Sequence, residues 1–462
     1  MPPKFGTSGL RGLVLELTED LVAAHVSAFV RSCPVGSGLF VGQDLRASSP
    51  IITSFVTRAA QTAGLGVQDC GAVPTPALAL AAMEAGAASI MVTGSHIPDD
   101  RNGLKFYTPQ GEITKAHEVA IQAALTQPLP KLVPGPDPVR HAGAGEAYCA
   151  RYVAAFGKTA LSGLRIGVYT HSAVGRDLML TVFADLGAEA VDLGRADRFV
   201  PVDTEAVEPA TRTDLLVWAE TGQFDAIVST DGDGDRPLMA DATGRVIVGD
   251  ILGQITAAAL GADTVVTPVS SNTGLEASDR FSRTIRTRIG SPFVIAGMEA
   301  AGGRVVGYEA NGGFLLGFAA TGPSGPLPPL MTRDALLPLI APLVEARRRG
   351  LTLVELVAAE PARFTAADRL QEVPTEQGQA LVAHLDADAE ARTAFLAPFG
   401  LEQLVDRTDG LRITLRSGRV LHLRPSGNAP ELRCYAEAES PSAAETLLAG
   451  GLAALSRALE AR

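Results

Sequence analysis

The segment TDGDGDR at residues 230–236 places three aspartates on alternate positions, directly after the apolar run AIVS. In an extended segment, side chains two residues apart lie on the same face, so Asp231, Asp233 and Asp235 can point to one place. The glycines between them let the backbone turn tightly and adopt positive φ. Grouped carboxylate oxygens suit Mg²⁺ better than zinc or copper. The segment therefore predicts a magnesium site with coordination positions left open for a phosphate.

A calcium loop and a plain polar turn are the alternatives for this segment. An EF-hand loop needs Gly at its sixth position and Glu at its twelfth, where this chain has Arg236 and Ala242. That excludes the calcium loop. A turn rich in Asp and Gly needs no ligand at all. Arg236 argues against this second alternative, because a guanidinium beside carboxylates can also hold a phosphate oxygen.

Two further polar loops lie in the first quarter of the chain. GTSGLRG (6–12) has the glycines and hydroxyls of a phosphate-facing turn. MVTGSHIPDDRNGLKFY (91–107) follows the strand-like run ASIMV. It is not a nucleophile elbow, because GxSxG would need glycines where Thr93 and Ile97 stand. A polar loop with an exposed serine remains the plainer alternative. The candidate functional residues of these loops are Arg11, Ser95, His96 and Lys105.

Two more loops lie in the second half of the chain. GYEANGG (307–313) places Glu309 and Asn311 between glycines, where they can present hydrogen-bond acceptors to sugar hydroxyls. LRPSGNAPELR (423–433) places a Ser-Gly turn between arginines, a pattern typical of an anion site. Taken singly, each is also explained as an ordinary loop. The candidate anion ligands are Arg424, Ser426, Gly427, Asn428 and Arg433.

Taken together and in order, the loops resemble those of the α-D-phosphohexomutase family, the phosphomannomutase/phosphoglucomutase enzymes, over nearly the whole chain. The family has GTSGxRG, a TASHNP-like serine loop, DGDGDR, a GExSG-like sugar loop and an RPSGTEPxxR-like phosphate loop. This chain has GTSGLRG, TGSHIP, DGDGDR, YEANGG and RPSGNAPELR. The five loops in this order identify the chain as a member of that family.

The resemblance implies a role for each loop. Ser95 is the phosphate carrier and touches the Mg²⁺ held by the three aspartates, which neutralises charge during phosphoryl transfer. The phosphoryl group passes to a hexose phosphate and returns through a hexose 1,6-bisphosphate. Arg11 and Lys105 match positions near the phosphoserine, and Lys105 is a candidate for proton transfer. The loop TRIGSPFVIAGM (287–298) resembles the family loop that helps to choose the sugar, and it contributes Arg288 and Gly290. The other substrate-binding residues implied are Arg236, Glu309, Asn311, Arg424, Ser426, Gly427, Asn428 and Arg433.

Four departures from the family pattern stand out, one of them in the serine loop as a whole. The serine loop reads TGSHIP, which retains Ser95, and Asn311 stands where many members have Ser. Asn428 replaces the usual Thr. Gly313 stands where bacterial relatives often carry a histidine proposed as acid or base. This last departure makes Lys105 and His96 the better candidates for the general acid or base.

The expected reaction is the interconversion of mannose 6-phosphate and mannose 1-phosphate. Phosphoglucomutase, or a mutase of dual specificity, is the alternative, because mannose and glucose differ only in the configuration at C2. Two alternatives of other classes remain. A sugar-phosphate-binding protein without catalysis would not need phosphate on Ser95. A metal-dependent phosphatase would release free phosphate and form no isomer.

Composition sets limits on the partners. The 462 residues carry 39 Lys+Arg and 51 Asp+Glu, a net charge of −12 (39 − 51), which argues against nucleic acid and anionic membrane as partners. The N-terminus lacks the layout of a secretory signal, and the cysteines form no CxxC pair. We expect a cytoplasmic protein with reduced thiols and small-molecule sugar-phosphate partners, as a monomer or small homo-oligomer.

The elements that must position these loops follow from hydrophobic patterning. Short apolar runs alternate with longer Ala/Leu-rich stretches, as in βαβ units around a mainly parallel sheet. The Pro-rich segment 127–138 cannot be a helix or an inner strand, and TGPSGPLPP (321–329) is expected to be an exposed loop. RITLRSGRVLHLRPSG is a hairpin turning at Ser417-Gly418, and SAAETLLAGGLAALSRALEA is a final helix.

The predicted fold class is α/β with four domains. The resemblance implies three related α/β domains with mixed sheets and a smaller C-terminal α+β domain, like the TATA-box-binding protein, around a central cleft. The predicted domains are 1–140 with the phosphoserine loop, 141–250 with the metal loop, 251–362 for sugar recognition, and 363–462 for phosphate binding.

Overall fold

The structure is a computed structural model. It describes residues 3–6, 9–133, 135–426 and 430–460. The chain forms two compact units, the first comprising residues 1–265 and 290–357 and the second comprising residues 266–289 and 358–462. Three α/β regions precede a smaller α+β region, which confirms the predicted fold class. In the described residues, no helix has both the length and the apolar character that a membrane span needs.

The first region is built on a mixed sheet in the order β1-β2-β6-β5-β3-β4-β8, with β7 on β6. The apolar run ASIMV forms the fully buried β5, which is parallel to β3 and antiparallel to β6. The predicted serine loop therefore begins at the carboxyl end of a buried strand. The elements are β1 (Lys4–Gly6), β2 (Gly9–Leu13), α1 (Glu19–Ser32), β3 (Leu39–Gln43), α2 (Ser49–Thr62), β4 (Val67–Ala72), α3 (Thr75–Glu84), β5 (Ala88–Val92), β6 (Arg101–Thr108), β7 (Gly111–Glu112), α4 (Lys115–Ala124) and β8 (Val139–Arg140).

The second region has a five-stranded sheet in the order β10-β9-β11-β12-β13. β11 is parallel to β9 but antiparallel to β12, so the predicted metal loop is the turn of a hairpin. The elements are α5 (Ala144–Phe156), β9 (Arg165–Tyr169), α6 (Arg176–Asp185), β10 (Glu189–Leu193), α7 (Pro209–Gly222), β11 (Ala226–Thr230), β12 (Pro237–Asp241) and β13 (Val246–Ile247).

The third region is divided between the two units. Within unit 1, β16 pairs antiparallel with β17, which pairs antiparallel with β20. The elements are α8 (Gly249–Ala259), β14 (Thr264–Pro268), α9 (Gly274–Ala277), β15 (Arg283–Thr287), α10 (Ser291–Ala301), β16 (Val305–Tyr308), β17 (Phe314–Leu316), β18 (Ala320–Thr321), β19 (Pro326–Leu327), β20 (Leu330–Asp334), α11 (Leu336–Arg349) and α12 (Leu353–Ala358).

The C-terminal region has an antiparallel sheet in the order β21-β25-β24-β23-β22. β23 alternates between buried and half-buried residues, and Leu411, Ile413 and Leu415 enter the core of this region. This period of two is the pattern of a strand with one covered face. The elements are β21 (Phe364–Gln371), α13 (Thr375–Ala387), α14 (Ala389–Leu396), β22 (Glu402–Asp406), β23 (Leu411–Leu415), β24 (Val420–Pro425), β25 (Glu431–Ala438) and α15 (Pro441–Glu460).

Several local predictions are confirmed. β23 and β24 form the predicted hairpin, with Gly418 at φ +81° in its turn. The final helix is α15. The described residues of 127–138 form neither helix nor strand. The boundaries of the four predicted domains stay predictions.

Two local predictions are wrong in part. The predicted alternation of strand and helix fails after β11 (AIVST), where the antiparallel strands β12 and β13 come before α8, because the Asp-Gly turn and the buried run PLMAD favour an antiparallel return. Residues 321–329 are not simply an exposed loop. They contain the short hairpin of β18 and β19, and the backbone amides of Ser324 and Gly325 donate to the carbonyl of Ala155, at 2.9 and 3.2 Å. That tertiary contact leaves no local sequence signal.

Candidate active site

Ser95 lies in unit 1, just after β5, and its side chain is buried. Its φ of +55° is in the left-handed region, which a residue with a side chain rarely adopts. Ser95 Oγ donates to Asp231 Oδ2 at 2.6 Å, and Ser95 N donates to Thr93 Oγ1 at 2.7 Å. The structure therefore brings the predicted phosphate carrier and the first predicted metal ligand into direct contact, although 136 residues separate them.

Arg46, which sequence reasoning missed, holds the serine loop in this conformation. Its buried guanidinium pairs with Asp44 through Nε at 3.1 Å and stacks 3.8 Å from the ring centroid of Phe199. A Cβ on Gly94 would lie 2.7 Å from Arg46 Cζ. Glycine in TGSHIP, where the family motif has alanine, therefore makes room for the guanidinium. Arg46 donates to four backbone carbonyls of the loop, those of Ser95, Ile97, Pro98 and Arg101.

The three aspartates of the metal loop are fully buried, and one carboxylate oxygen of each lies within 4.8 Å of the others. Asp233 Oδ1 and Asp235 Oδ1 are buried and have no hydrogen-bond partner. An unsatisfied buried carboxylate oxygen is costly, and a bound cation removes that cost. The oxygen-only donor set and these two orphaned atoms fit Mg²⁺.

Besides Ser95, Thr75 and Lys105 of the first region also reach the metal loop. Thr75, at the start of α3, donates from Oγ1 to Asp233 Oδ2 at 2.5 Å, a contact that the sequence did not reveal. Lys105 Nζ donates to Asp233 Oδ2 at 2.5 Å and to Asp235 Oδ2 at 2.6 Å. Lys105 therefore lies among the predicted metal ligands.

Burial and neighbouring charges shift the pKa values of two of the aspartates in opposite directions. Burial, together with the charges of Asp233 and Asp235, raises the pKa of Asp231 well above its usual range. Burial also opposes ionisation of Asp233, but the charge and hydrogen bond of Lys105, together with the Thr75 hydroxyl, bring its pKa below the usual range. The cation beside Asp233 therefore outweighs the cost of burying its charge.

His96 is held by Arg236 in an orientation that disfavours a role as base. Arg236 Nη1 donates to His96 Nδ1 at 2.9 Å, so this nitrogen carries no proton. Burial, then the charges of Arg236 and Arg11, lower the pKa of His96 far below its ordinary value. A neutral imidazole with its lone pair engaged is a weak proton acceptor. Of the two candidates for the acid or base, the geometry favours Lys105.

Arg11 lies on β2, whose register pairs it with Gly103 on β6. Burial lowers the pKa of Arg11 to about 10, and the charges of Arg236 and Arg333 add to this. Arg236 and Arg333 therefore lie close enough to Arg11 for their charges to act on it. Such a concentration of positive charge suits a phosphate.

Arg333 and Glu112 are the other residues that sequence reasoning missed. Arg333, at the end of β20, places Nη2 at 3.0 Å from Asp235 Oδ2 and Nη1 at 3.5 Å from Glu309 Oε2. Arg333 Nε forms an ion pair with Glu112 Oε1 at 3.3 Å, and the hydroxyl of Ser291 donates to Glu112 Oε2 at 2.6 Å. A charged residue inside the apolar run PPLMTRDALLPL was the one available signal for Arg333. Glu112 had none.

Arg333 also accounts for the glycine at position 313. A Cβ on Gly313 would lie 3.1 Å from Arg333 Cγ and Cδ. The side chain of Arg333 therefore takes space that a larger residue at 313 would need. The guanidinium brings a charge to the site where the family's histidine would stand, but not a residue that exchanges protons at neutral pH.

The sugar loop is a tight turn with one available acceptor. Glu309 is 5 % exposed, and its Oε2 has no hydrogen-bond partner. Asn311 turns its Oδ1 back to accept from Gly313 N at 3.0 Å, while its carbonyl accepts from Thr204 Oγ1 at 3.0 Å. Glu309 Oε2 lies 3.5 Å from Arg333 Nη1 but accepts no hydrogen bond, so it can still accept one from a sugar hydroxyl, whereas Asn311 also shapes the turn.

Unit 2 holds the predicted phosphate arginines. Arg424 on β24 and Arg433 on β25 lie directly opposite each other in the antiparallel register. Like charges in this arrangement repel, which a bound anion would relieve. Arg424 Nε donates to Asp409 Oδ2 at 3.0 Å, and the same oxygen accepts from the backbone amide of Ile289 at 2.9 Å.

The remaining predicted residues are placed as follows. Ser426 is buried, and its backbone amide donates to the Glu431 carbonyl at 2.9 Å. Arg288 belongs to unit 2 and precedes Ile289, whose backbone amide donates to Asp409. Gly290 has φ +128° and precedes α10 in unit 1. Gly427 and Asn428 lie outside the described residues.

Four family models match the chain and together span most of it. They are the phosphoglucomutase/phosphomannomutase domains I, II and III, each described as alpha/beta/alpha, and the C-terminal domain of the same family. They match residues 2–129, 146–244, 241–364 and 359–450, respectively.

Full-length relatives are of the same family. The chain is 45 % identical to a phosphomannomutase of Sinorhizobium fredii (strain NGR234), covering 99 % of this chain and 100 % of the relative. It is 43 % identical to a phosphomannomutase of Salmonella muenchen, covering 98 % and 96 %. A crystal structure of a phosphoglucomutase/phosphomannomutase family protein from Burkholderia thailandensis has the same fold, with a TM-score of 0.79 at 22 % identity over 99 % and 97 % of the two chains. The chain therefore belongs to the phosphoglucomutase/phosphomannomutase family of α-D-phosphohexomutases.

Proposed function

We propose that this chain is a phosphomannomutase that interconverts mannose 6-phosphate and mannose 1-phosphate through a phosphoserine at Ser95. The observation that carries the proposal is the 2.6 Å contact between Ser95 Oγ and Asp231 in a buried site of three aspartates and several cations. The two relatives named phosphomannomutase support the choice of sugar.

Each half-reaction moves one phosphoryl group. The bond between phosphorus and Ser95 Oγ breaks while a sugar hydroxyl oxygen bonds to phosphorus, and the hydroxyl proton passes to a base. This forms the hexose 1,6-bisphosphate. The bisphosphate reorients, and its other phosphoryl group returns to Ser95 Oγ while the released sugar oxygen takes a proton. Arg46 keeps the serine loop in the conformation that directs Oγ into the site.

The three aspartates would hold Mg²⁺, with Ser95 or its phosphate as a further ligand. When bound, the ion neutralises charge that builds up on the transferring phosphoryl group. Arg11, Arg236 and Arg333 surround the same space and can bind the equatorial phosphoryl oxygens. Lys105 is the proposed proton donor and acceptor, since His96 is neutral with Nδ1 engaged.

Several further residues are proposed to bind the substrate. Glu309 Oε2 is the proposed acceptor for sugar hydroxyls, because it is buried without a hydrogen bond. The proposed ligands of the phosphate that is not transferred are Arg424 and Arg433, with Ser426, Gly427 and Asn428. Arg288 and Gly290 are proposed to help select the sugar, and Asn311 to support Glu309.

Turnover of mannose 1-phosphate and glucose 1-phosphate, measured side by side, tests the proposal. The assay contains Mg²⁺ and a hexose 1,6-bisphosphate that primes Ser95. Conversion of mannose 1-phosphate to the 6-phosphate with the higher kcat/KM supports the proposal. A higher kcat/KM for glucose 1-phosphate would make the protein a phosphoglucomutase instead.

Two further outcomes would reject a mutase. Binding of both sugar phosphates without any product and without phosphate on Ser95 would indicate a binding protein. Release of free phosphate without an isomer would indicate a phosphatase. The cytoplasmic location and the monomeric or small oligomeric state stay predictions.

A further inference from the structure

Lys105 is placed as an ion inside the predicted metal site, not beside it. Its ammonium lies 2.5 Å from Asp233 Oδ2 and 2.6 Å from Asp235 Oδ2, and its side chain is 5 % exposed. Both carboxylates are fully buried. A buried ammonium needs such partners, because an unpaired charge in this environment is costly.

The ammonium and a divalent ion would share the same two carboxylates: Lys105 is bonded to Oδ2 of Asp233 and of Asp235, and Oδ1 of each has no hydrogen-bond partner. Mg²⁺ binds oxygen ligands at about 2.0–2.1 Å and demands near-octahedral geometry. A Mg²⁺ ion bound to Asp233 and Asp235 would lie beside Lys105 Nζ, and like charges repel strongly in a buried site. A divalent ion held by these carboxylates therefore disfavours the ammonium in its present position.

The backbone at Lys105 is fixed, so the ammonium can leave only by a change of rotamer. Lys105 lies in β6 between two neighbouring strands, opposite Gly9 of β2 and opposite Met91 of β5. A Cβ on Gly9 would come within 3.1 Å of Lys105 Cα, so the strands are tightly apposed. The flexible four-carbon stem is the part of Lys105 that can move.

We propose that Lys105 is the counter-cation of the metal-free site and that it is displaced when the metal binds. This inference rests on the proposed use of the three aspartates as metal ligands. It has two consequences. The metal-free protein is stable despite three buried carboxylates, because Lys105 neutralises part of their charge. Metal loading also frees the ammonium to reach the substrate, which couples the two parts of the site.

A nuclear magnetic resonance experiment on the wild-type protein observes the displacement directly. The chain has five lysines, so selective ¹⁵N labelling of lysine side chains gives few signals. The buried ammonium of Lys105 should exchange its protons slowly and give a resolved signal, which the variant Lys105→Met identifies. We expect that signal to shift or disappear in step with Mg²⁺ occupancy, with Ser95 unphosphorylated. A signal that is unchanged at metal saturation would overturn the inference.

Calorimetric titration of Mg²⁺ and Mn²⁺ supplies the second measurement. Lys105→Met should bind the metal about tenfold more tightly than wild type or better, since the competing charge is gone. The metal-free variant should melt at a lower temperature than wild type and recover more on adding metal. Lys115→Met is the matched control, because Lys115 pairs with Glu118 at the surface. Affinity that is unchanged or weaker in Lys105→Met contradicts the inference.

The two proposals can fail separately. A wild-type protein that binds no Mg²⁺ or Mn²⁺ would overturn both the proposed metal use and this inference. Metal binding with Lys105 left in place would overturn this inference alone. Neither measurement uses substrate, so neither depends on mutase activity.

Discussion

In unit 1, the side chains that touch the three aspartates are buried, and each aspartate has bonds to residues far away in the chain. Asp231 accepts from Ser95, and Asp233 accepts from both Thr75 and Lys105. In unit 2, the arginines of the predicted phosphate loop face solvent in part, with Arg424 20 % and Arg433 40 % exposed. The side chains of the first site are closed off by their mutual bonds, whereas the second site presents partly exposed charges on a sheet.

Both regions contain a buried histidine that is hydrogen-bonded to a backbone carbonyl near the predicted ligands. His171 Nε2 lies 2.9 Å from the carbonyl of Thr230, the residue before the metal loop. His422 Nε2 lies 2.6 Å from the carbonyl of Asp409, the residue whose side chain binds Arg424. A carbonyl can only accept, so each Nε2 carries the proton. In each region a histidine Nε2 thus donates to a backbone carbonyl next to the predicted ligands. The sites differ in the functional side chains themselves. Those of unit 1 are bonded to one another, whereas those of unit 2 are two arginines that lie opposite each other on neighbouring strands.

Because of this difference, we expect amino-acid substitutions to affect different kinetic constants in the two regions. Chemistry at the closed site depends on fixed geometry, so substitutions there should lower kcat. Binding of a phosphate at the arginine pair depends on charge, so substitutions there should raise KM.

The largest effect is expected from Ser95→Ala. Removal of the phosphate carrier should reduce turnover by at least about 10³-fold, because the covalent route is lost. The measurement is conversion of mannose 1-phosphate, together with phosphate incorporation from the bisphosphate. Ser54→Ala, at an exposed position of α2, is the control. Near-normal turnover in a folded Ser95→Ala variant would remove Ser95 from the mechanism.

Asp233→Asn should lower turnover by about 100-fold or more and weaken Mg²⁺ binding, because a charged ligand is lost. Both are measured by titrating Mg²⁺ in the assay and by calorimetry. Asp263→Asn, at a largely exposed carboxylate, should change neither. An Asp233→Asn enzyme with the wild-type dependence on metal would exclude Asp233 as a ligand.

Arg424→Ala should weaken substrate binding by roughly 2–4 kcal/mol and raise KM far more than it lowers kcat. Steady-state kinetics with both sugar phosphates measure how the effect divides between KM and kcat. Arg407→Ala is the control, since Arg407 is a 55 % exposed arginine that pairs with Asp386. If kcat falls and KM is unchanged, the contrast between the two regions is wrong.

Gly94→Ala tests how tightly the serine loop is held. The new Cβ would lie 2.7 Å from Arg46 Cζ, so we expect a loss of about 1–3 kcal/mol of stability and slower phosphorylation of Ser95. Chemical denaturation and the rate of phosphate incorporation are the readouts. Gly66→Ala is the control, because no atom lies within 4 Å of its Cβ. Equal stability of the two variants would show that Arg46 is not fixed as the structure has it.

The smallest effect is expected from pH. Burial lowers the pKa of His171 and of His422 to about 4, whereas an unfolded histidine titrates near 6.5. Below about 6.5 the unfolded chain therefore binds protons that the folded protein does not, and stability falls as the pH falls. Each histidine should cost up to about 2 kcal/mol between pH 6.5 and 5.

Denaturation of His171→Gln and His422→Gln at pH 7 and pH 5 measures this effect region by region. Glutamine keeps an N–H donor for the carbonyl but does not titrate. Each variant should lose less stability on acidification than wild type. A variant with the wild-type dependence on pH would show that its histidine does not contribute.

The amino-acid sequence by itself determined the order of the loops, the alternation of strands and helices, and the type of the functional side chains. These features are local. The spacing of Asp231, Asp233 and Asp235 is set within one turn, and the period of two in β23 and β24 is set within one hairpin. Predictions from such patterns use residues that are close in the chain.

The tertiary structure alone decided which residues support and surround those side chains. Lys105 reaches Asp233 across 128 residues, Thr75 reaches it across 158, and Glu112 reaches Ser291 across 179. A periodic pattern carries no information on contacts between elements so far apart, because they depend on how the sheets pack. For the same reason the sequence predicted Lys105 as a proton carrier near the phosphoserine, but only the fold could place its ammonium among the metal ligands.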